Sequence, residues 1–280
     1  FGKVYKAQRM ADGTLAVADV TVEPFSSVQL SVLPGKVAAD GSVVISGNQI
    51  SNNLVTCTID SKTGDIISLI DKRNGKELID NSKGQSANQY LFFEGNDVTR
   101  LRSNGQVQIT IKERGPLVSA LEIQSDAPGC KQLTRTIWLA DNADYLVISN
   151  IVDKNRAPMP EKVGEWYLAQ NKNKESVNFG FPFSVQGGIL RMDLPLGQMI
   201  PEQDQMPSAC KNWLTVGRWA DVSNHETGIT WVTLDAPLVE VGEISANLIG
   251  SQNNPAVWRK TIESTQTIYS WAMNNHWGTN

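Results

Sequence analysis

The sequence predicts an all-β fold: a large two-sheet sandwich of antiparallel strands. Three observations lead there. Apolar residues alternate with polar ones along most of the chain, and no long stretch places them at i, i+3, i+4 and i+7. Turn residues interrupt the alternation at intervals of roughly ten residues, the rhythm of a many-stranded sandwich. At 280 residues the chain is long enough to bury a core without staples.

The elements follow in order. Phe1–Tyr5 already reads as strand and no initiator methionine precedes it, an opening expected of a piece taken from a longer polypeptide. Thr14–Val22 and Ser27–Leu33 alternate as two strands broken at Glu23-Pro24-Phe25, where proline withholds a ladder donor. Pro34-Gly35 and Asp40-Gly41 mark a boundary, so residues 1–38 are expected to finish a small β domain and residues 39–280 to form the main body. Hairpins are then legible around Lys62-Thr63-Gly64-Asp65 and around Asn74-Gly75, a pair suited to a type I′ turn. Gln106–Glu113, Leu117–Gln124, Lys131–Leu139 and Tyr145–Val152 read as long strands, reversed at Gly115-Pro116 and Pro128-Gly129. Arg156 to Lys174 reads as a polar surface excursion. Strand character returns at Phe179–Val185, Gly188–Asp193, Trp213–Asp221, Gly228–Leu234 and Ala236–Val241.

Composition excludes several functions. A net charge of −4 with no basic stripe argues against a nucleic-acid partner. No apolar run reaches the ~18 residues of a helical membrane span. The cysteines, Cys57, Cys130 and Cys210, are odd in number and far apart, and Cys57 sits in an alternating strand as a buried thiol would.

Several segments resemble one family. Cys57 to Leu78, with its Lys-Thr-Gly turn, Ser-Leu-Ile-Asp-Lys strand and Asn-Gly turn, is similar to the opening hairpins of the sandwich domain of glycoside hydrolase family 38 α-mannosidases. Asn88-Gln89-Tyr90-Leu91-Phe92 resembles the next strand, and Phe179-Gly180-Phe181-Pro182-Phe183 a later one. Ala220–Asn224 and Trp231–Pro237 resemble the late strands, and Ser270–Asn280 the closing run of many bacterial members. The segment after Val152-Asp153 departs from some members, with Lys154 where a Trp often stands. The resemblance implies a galactose-mutarotase-like supersandwich preceded by part of a small β domain. It further implies an accessory region of a retaining, zinc-dependent enzyme that removes terminal α-linked mannose. The zinc and the nucleophile would lie on an N-terminal catalytic barrel of the same polypeptide, and the partner would be a mannose-containing glycan.

The chain's own chemistry is sparse. A zinc site needs three or four converging ligands, and the only histidines, His225 and His276, lie in no His-x-Asp or His-x-x-x-His pattern, so no metal is expected in this segment. Retaining glycosidases need two carboxyl groups ~5 Å apart, a pairing that sequence does not reveal across a sandwich. No catalytic residue is therefore assigned. Tyr90 is the first substrate-binding candidate: in the family's Golgi and lysosomal branch a tyrosine before Leu-Phe reaches the mannose pocket. Asn274, Asn275, His276 and Trp277 are the second, because carboxamides can bond vicinal hydroxyls and an indole suits the C–H face of a pyranose. Tyr90 and the 274–277 segment are expected at a common rim near strand ends, and one sandwich face is expected to carry an uncovered apolar patch. Each candidate also has an ordinary structural reading, as a packed strand-edge tyrosine or an asparagine turn. Two other functions are compatible with the residues. One is an autonomous carbohydrate-binding module, which paired exposed aromatics on a sheet face would favour. The other is a mutarotase-like aldose epimerase using His225-Glu226 and His276. The sequence leaves location open, with periplasmic or secreted favoured over cytoplasmic.

Overall fold

A computed structural model describes residues 3–36, 40–95, 97–156, 174–246, 256 and 258–275. Twenty strands, paired antiparallel throughout, and one 3-10 turn at Val98–Arg100 make up its regular structure, and no α-helix occurs among the described residues. A hairpin of β1 (Ala7–Arg9) and β2 (Leu15–Val17) comes first. A five-stranded meander follows: β3 (Val44–Ser46), β4 (Gln49–Ser51), β5 (Val55–Ile59), β6 (Ile66–Asp71) and β7 (Lys76–Glu77). The four-stranded sheet orders β12 (Val147–Lys154), β11 (Cys130–Ala140), β10 (Val118–Ala127) and β9 (Gln108–Glu113). The central five-stranded sheet draws on distant segments, in the order β16 (Leu214–Thr215), β19 (Leu238–Val241), β20 (Thr267–Asn275), β13 (Glu175–Pro182) and β8 (Gln89–Glu94). A last sheet orders β15 (Gly197–Met199), β14 (Ile189–Leu194), β17 (Trp219–Ser223) and β18 (Gly228–Val232).

Alternation builds a main core from these sheets, with a smaller cluster of Phe93, Ile244 and Tyr269 beside it. In β5 the buried residues Val55, Cys57 and Ile59 alternate with partly exposed threonines. The inward residues Ile123, Leu133 and Ile137 of the four-stranded sheet join Ile50 and Cys57 of the meander. Phe92, Phe179 and Ile268 of the central sheet and Met192 and Val222 of the last belong to the same buried cluster. Cys57 is fully buried, and loss of water pushes its thiol up to about 12, where it stays protonated and inert.

One cation ties three sheets together. Arg135 of β11 is fully buried and lies against the β5–β6 loop, where Nη1 donates to Asp65 Oδ1 at 2.7 Å and Nη2 donates to the Thr63 carbonyl. Nη1 also donates to the Asn88 carbonyl at 3.0 Å, at the entry to β8. Asn88 in turn exchanges side-chain amide bonds with Asn150 of β12, at 2.7 and 3.0 Å. Burial pushes the Asp65 carboxyl up and the Arg135 guanidinium down from their ordinary values, and their mutual contact opposes both shifts. Gly64 makes room for the cation: a Cβ there would sit 2.5 Å from Arg135 Nη2, and its φ of +73° is left-handed.

Several sequence expectations are corrected. The Asn74-Gly75 turn is not type I′, because only Gly75 has positive φ. Asp71 instead organises a four-residue loop, its carboxylate accepting from the Arg73 backbone and its carbonyl accepting from Gly75 N–H at 2.8 Å. The β5–β6 loop repeats that plan with Asp60, Thr63 and Gly64. Trp213–Asp221 divides into β16 and β17, and the first strand among the described residues is Ala7–Arg9; of the expected Phe1–Tyr5 strand, Lys3–Tyr5 form none and Phe1 and Gly2 lie outside the described residues. Thr14–Val22 yields only Leu15–Val17, and Ser27–Leu33 forms no ladder at all. Alternation makes a segment competent for a sheet, but a strand exists only where a second edge is within reach, and residues 21–36 lie exposed without one. Val22, Phe25, Val28, Leu30, Val32 and Leu33 of this run are exposed, but they lie outside any sheet and so are not the patch expected on a sandwich face. The excursion expected between Arg156 and Lys174 falls almost wholly outside the described residues.

Breaking the Arg135 cluster should unfold the chain more readily than any surface change. Arg135→Met alone strands Asp65 in the core and should cost ~3–5 kcal/mol, whereas Arg135→Met combined with Asp65→Leu should recover most of that loss. Urea midpoints of the two variants against the parent check the expectation.

Candidate functional site

Polar side chains gather at one end of the central sheet, where β8 and β20 finish and β13 begins. Register aligns Glu94, Glu175 and Asn275 in one row, and Phe93, Ser176 and Asn274 in the next. The ends are held by charge. Lys154 of β12 meets Glu175 at 2.7 Å, and Arg102 meets Glu94 at 3.0 Å while its guanidinium lies over the Phe92 ring. Lys174 is fully buried just before β13, and loss of water pushes its ammonium below the ordinary lysine value. Asn178, also fully buried, donates to Ser176 Oγ at 3.3 Å, and its Oδ1 has no hydrogen-bond partner among the described residues. Carboxylates, carboxamides and ammonium groups in one place can bond several hydroxyls of a neutral polyol, which accept and donate alike.

The expected site residues are distributed as follows. Asn274 is exposed opposite Ser176, and Asn275 is nearly buried opposite Glu175. Both lie within β20 rather than after it. His276 and Trp277 fall outside the described residues. Tyr90 is not at this rim. It shares a row with Phe179 and Ser270, four residues along β13 from Glu175, or ~13 Å at strand spacing. Its ring is fully buried, edge-on to Phe179 at 5.8 Å, and its hydroxyl donates to the Pro128 carbonyl at 2.5 Å. Burial, with smaller effects from Cys130 and Glu175, raises its pKa far above the usual phenol value. Alternation along Gln89-Tyr90-Leu91 turns the ring to the core face, so the hydroxyl clamps the β10–β11 turn.

That turn is clamped twice. Gly129 has φ +78°, and a Cβ there would lie 2.1 Å from the Phe92 ring. His225, the other candidate for acid–base chemistry, has a side chain 88% exposed beside Glu226 on a surface loop, far from the enclosure an epimerase base requires. No three His, Cys, Asp or Glu side chains converge among the described residues, so they offer no set of ligands that fits a zinc ion.

Sequence reasoning missed Glu94, Lys154, Lys174 and Glu175, which only strand register brings together. It also missed Glu240 of β19, a fully buried carboxyl whose Oε2 accepts from the Ser245 and Ala246 N–H groups at 2.6 and 2.7 Å. Its one sequence signal is the polar residue inside Val239-Glu240-Val241.

These features describe an all-β domain with a polar strand end and no metal or nucleophile constellation among its described residues. Residues 50–237 match the family described as glycosyl hydrolases family 38 C-terminal domain, and the chain belongs to that family. Among solved structures, an alpha-mannosidase from Enterococcus faecalis V583 has a similar fold, with a TM-score of 0.56 at 11% identity. The similarity covers 85% of this chain and 31% of that protein, so the chain spans about a third of its length. No curated protein matches the sequence.

Two measurements follow from this geometry. Tyr90→Phe should lower stability by about 1–2 kcal/mol, since it leaves the Pro128 carbonyl unpaired, and Gly129→Ala should cost more; thermal melts of both variants check this. For Glu240, burial outweighs the two backbone donors and pushes the carboxyl up to about 7 from 4.5. The folded chain therefore binds more protons than the unfolded chain between those values, so stability should fall as pH rises through that window, by on the order of 3 kcal/mol. Glu240→Gln should flatten the profile, as measured by urea unfolding from pH 4.5 to 8.

Proposed function

We propose that this chain is the accessory β region of a retaining, zinc-dependent exo-α-mannosidase. In this reading it buttresses an N-terminal catalytic barrel of the same polypeptide. The family match over residues 50–237 carries the proposal, and the fold likeness to part of an alpha-mannosidase supports it. Residues 39–280 would form a supersandwich of the galactose-mutarotase type, and residues 1–38 the end of a small β domain. The exposed, unladdered run 21–36 supports that division, because its alternation suits a sheet that other strands would complete.

The polar strand end is the part of the chain suited to a mannose-containing glycan. Asn274 and Asn275 supply donors and acceptors for vicinal hydroxyls, and Glu175 and Lys154 fix the strand ends that carry them. His276 and Trp277, next in sequence after Asn275, remain proposed substrate-binding residues. Tyr90 acts from the core, holding the Pro128–Gly129 turn against β8 rather than touching sugar. Zinc, in the intact enzyme, would be bound by residues outside this chain.

The 280-residue chain alone is expected to release no aryl aglycone from an aryl α-mannoside, with or without added zinc. Activity that survives repurification would overturn the assignment of catalysis to the barrel. In the intact enzyme, Asn275→Ala should slow hydrolysis about 5- to 30-fold, the loss of one or two polar contacts of roughly 1–2 kcal/mol in all.

A further inference from the structure

A second recess lies on the outer face of the four-stranded sheet, apart from the polar strand end. Its floor is Val118 and Ala140, which pair across β10 and β11. The N-terminal hairpin forms one wall through Val17 and is fixed there by Gln8, whose side chain accepts from Leu117 and Val118 N–H and donates to Val118 O and Glu113. Trp138 and Tyr145 form the other wall. Two contiguous hollows of about 320 and 220 Å³ share the floor residues. The larger reaches the lower end of the size range of small-molecule sites, ~300 Å³.

The lining has the two-sided chemistry of a sugar. Trp138 and Tyr145 offer ring surface, and Tyr145 is 62% exposed. Neither the indole N–H nor the phenol bonds to another described residue, so both polar tips are free for a ligand. At the lip, the Asn142 side chain bonds Asp141 Oδ2 at 3.2 Å, setting a carboxamide beside a carboxylate. A pyranose has an apolar C–H face that suits an aromatic ring and an edge of hydroxyls that suits such a lip. An anionic lipid surface would meet Asp19 and Asp141 at the same lip and be repelled.

We propose that this groove is a non-catalytic glycan-binding site, occupied by a neutral hexopyranose unit of an α-mannan, a sugar class that rests on the function proposed above. Native gel electrophoresis of the 280-residue chain through soluble branched α-mannan tests it. The parent chain should be retarded, Trp138→Ala should weaken the retardation at least tenfold, and Trp138→Phe should keep most of it. Tyr145→Ala, at an exposed position that folding does not need, should weaken it several-fold with an unchanged melting temperature. A parent chain that runs unretarded would overturn the site, as would Trp138→Ala and Tyr145→Ala variants retarded like the parent. Retardation lost in Asn275→Ala but kept in Trp138→Ala would also overturn it, while leaving the accessory-domain function intact.

Discussion

The buried guanidinium of Arg135 is the constraint around which the sheets are arranged. Removing two ions from water is costly, and the contact between Arg135 and Asp65 offsets that cost only while the neighbouring carbonyls also accept. Those carbonyls belong to Thr63, in the β5–β6 loop, and Asn88, at the entry to β8, so the two terminal nitrogens of the guanidinium find their acceptors only when all three sheets dock in one arrangement. A purely apolar contact would tolerate sliding. Here a slip of one residue would turn Arg135 out of the core and leave Asp65 without a counterion. Gly64 belongs to the same constraint, since a side chain there would occupy the space that the guanidinium fills.

Much of the fold is legible in the sequence because strands announce themselves locally. The long hairpin of β10 and β11 is read within two or three residues, since alternation and Pro128-Gly129 agree. The failures have a common cause in sheet pairing, which is not local. Ser27–Leu33 alternates as well as any strand in the chain and still forms none, because no edge meets it. Trp213–Asp221 has continuous strand character but is divided between two sheets.

The candidate site was less legible than the fold. Asn274 and Asn275 could be singled out from the chemistry of carboxamides, yet their neighbours Glu175, Glu94 and Lys154 come from segments tens to hundreds of residues away. Tyr90 shows the opposite difficulty. Its sequence context suggests a pocket residue, but the face of a strand side chain is fixed by period two, and Phe92 and Phe179 place that face in the core. Arg135 could have been noticed as a cation at an inward position between Leu133 and Ile137.

On the 280-residue chain by itself, the bare run 21–36 has a consequence for handling. Endoproteases bind substrates as extended strands and need a dozen or so residues free of ladder bonds, which this segment offers and the core strands do not. A cut there would sever the N-terminal hairpin from the main chain without releasing it at once, because Gln8 and the backbone of Ala11 remain bonded to Glu113 and Leu117. The nicked molecule would keep its size on a sizing column and show two fragments only after denaturation.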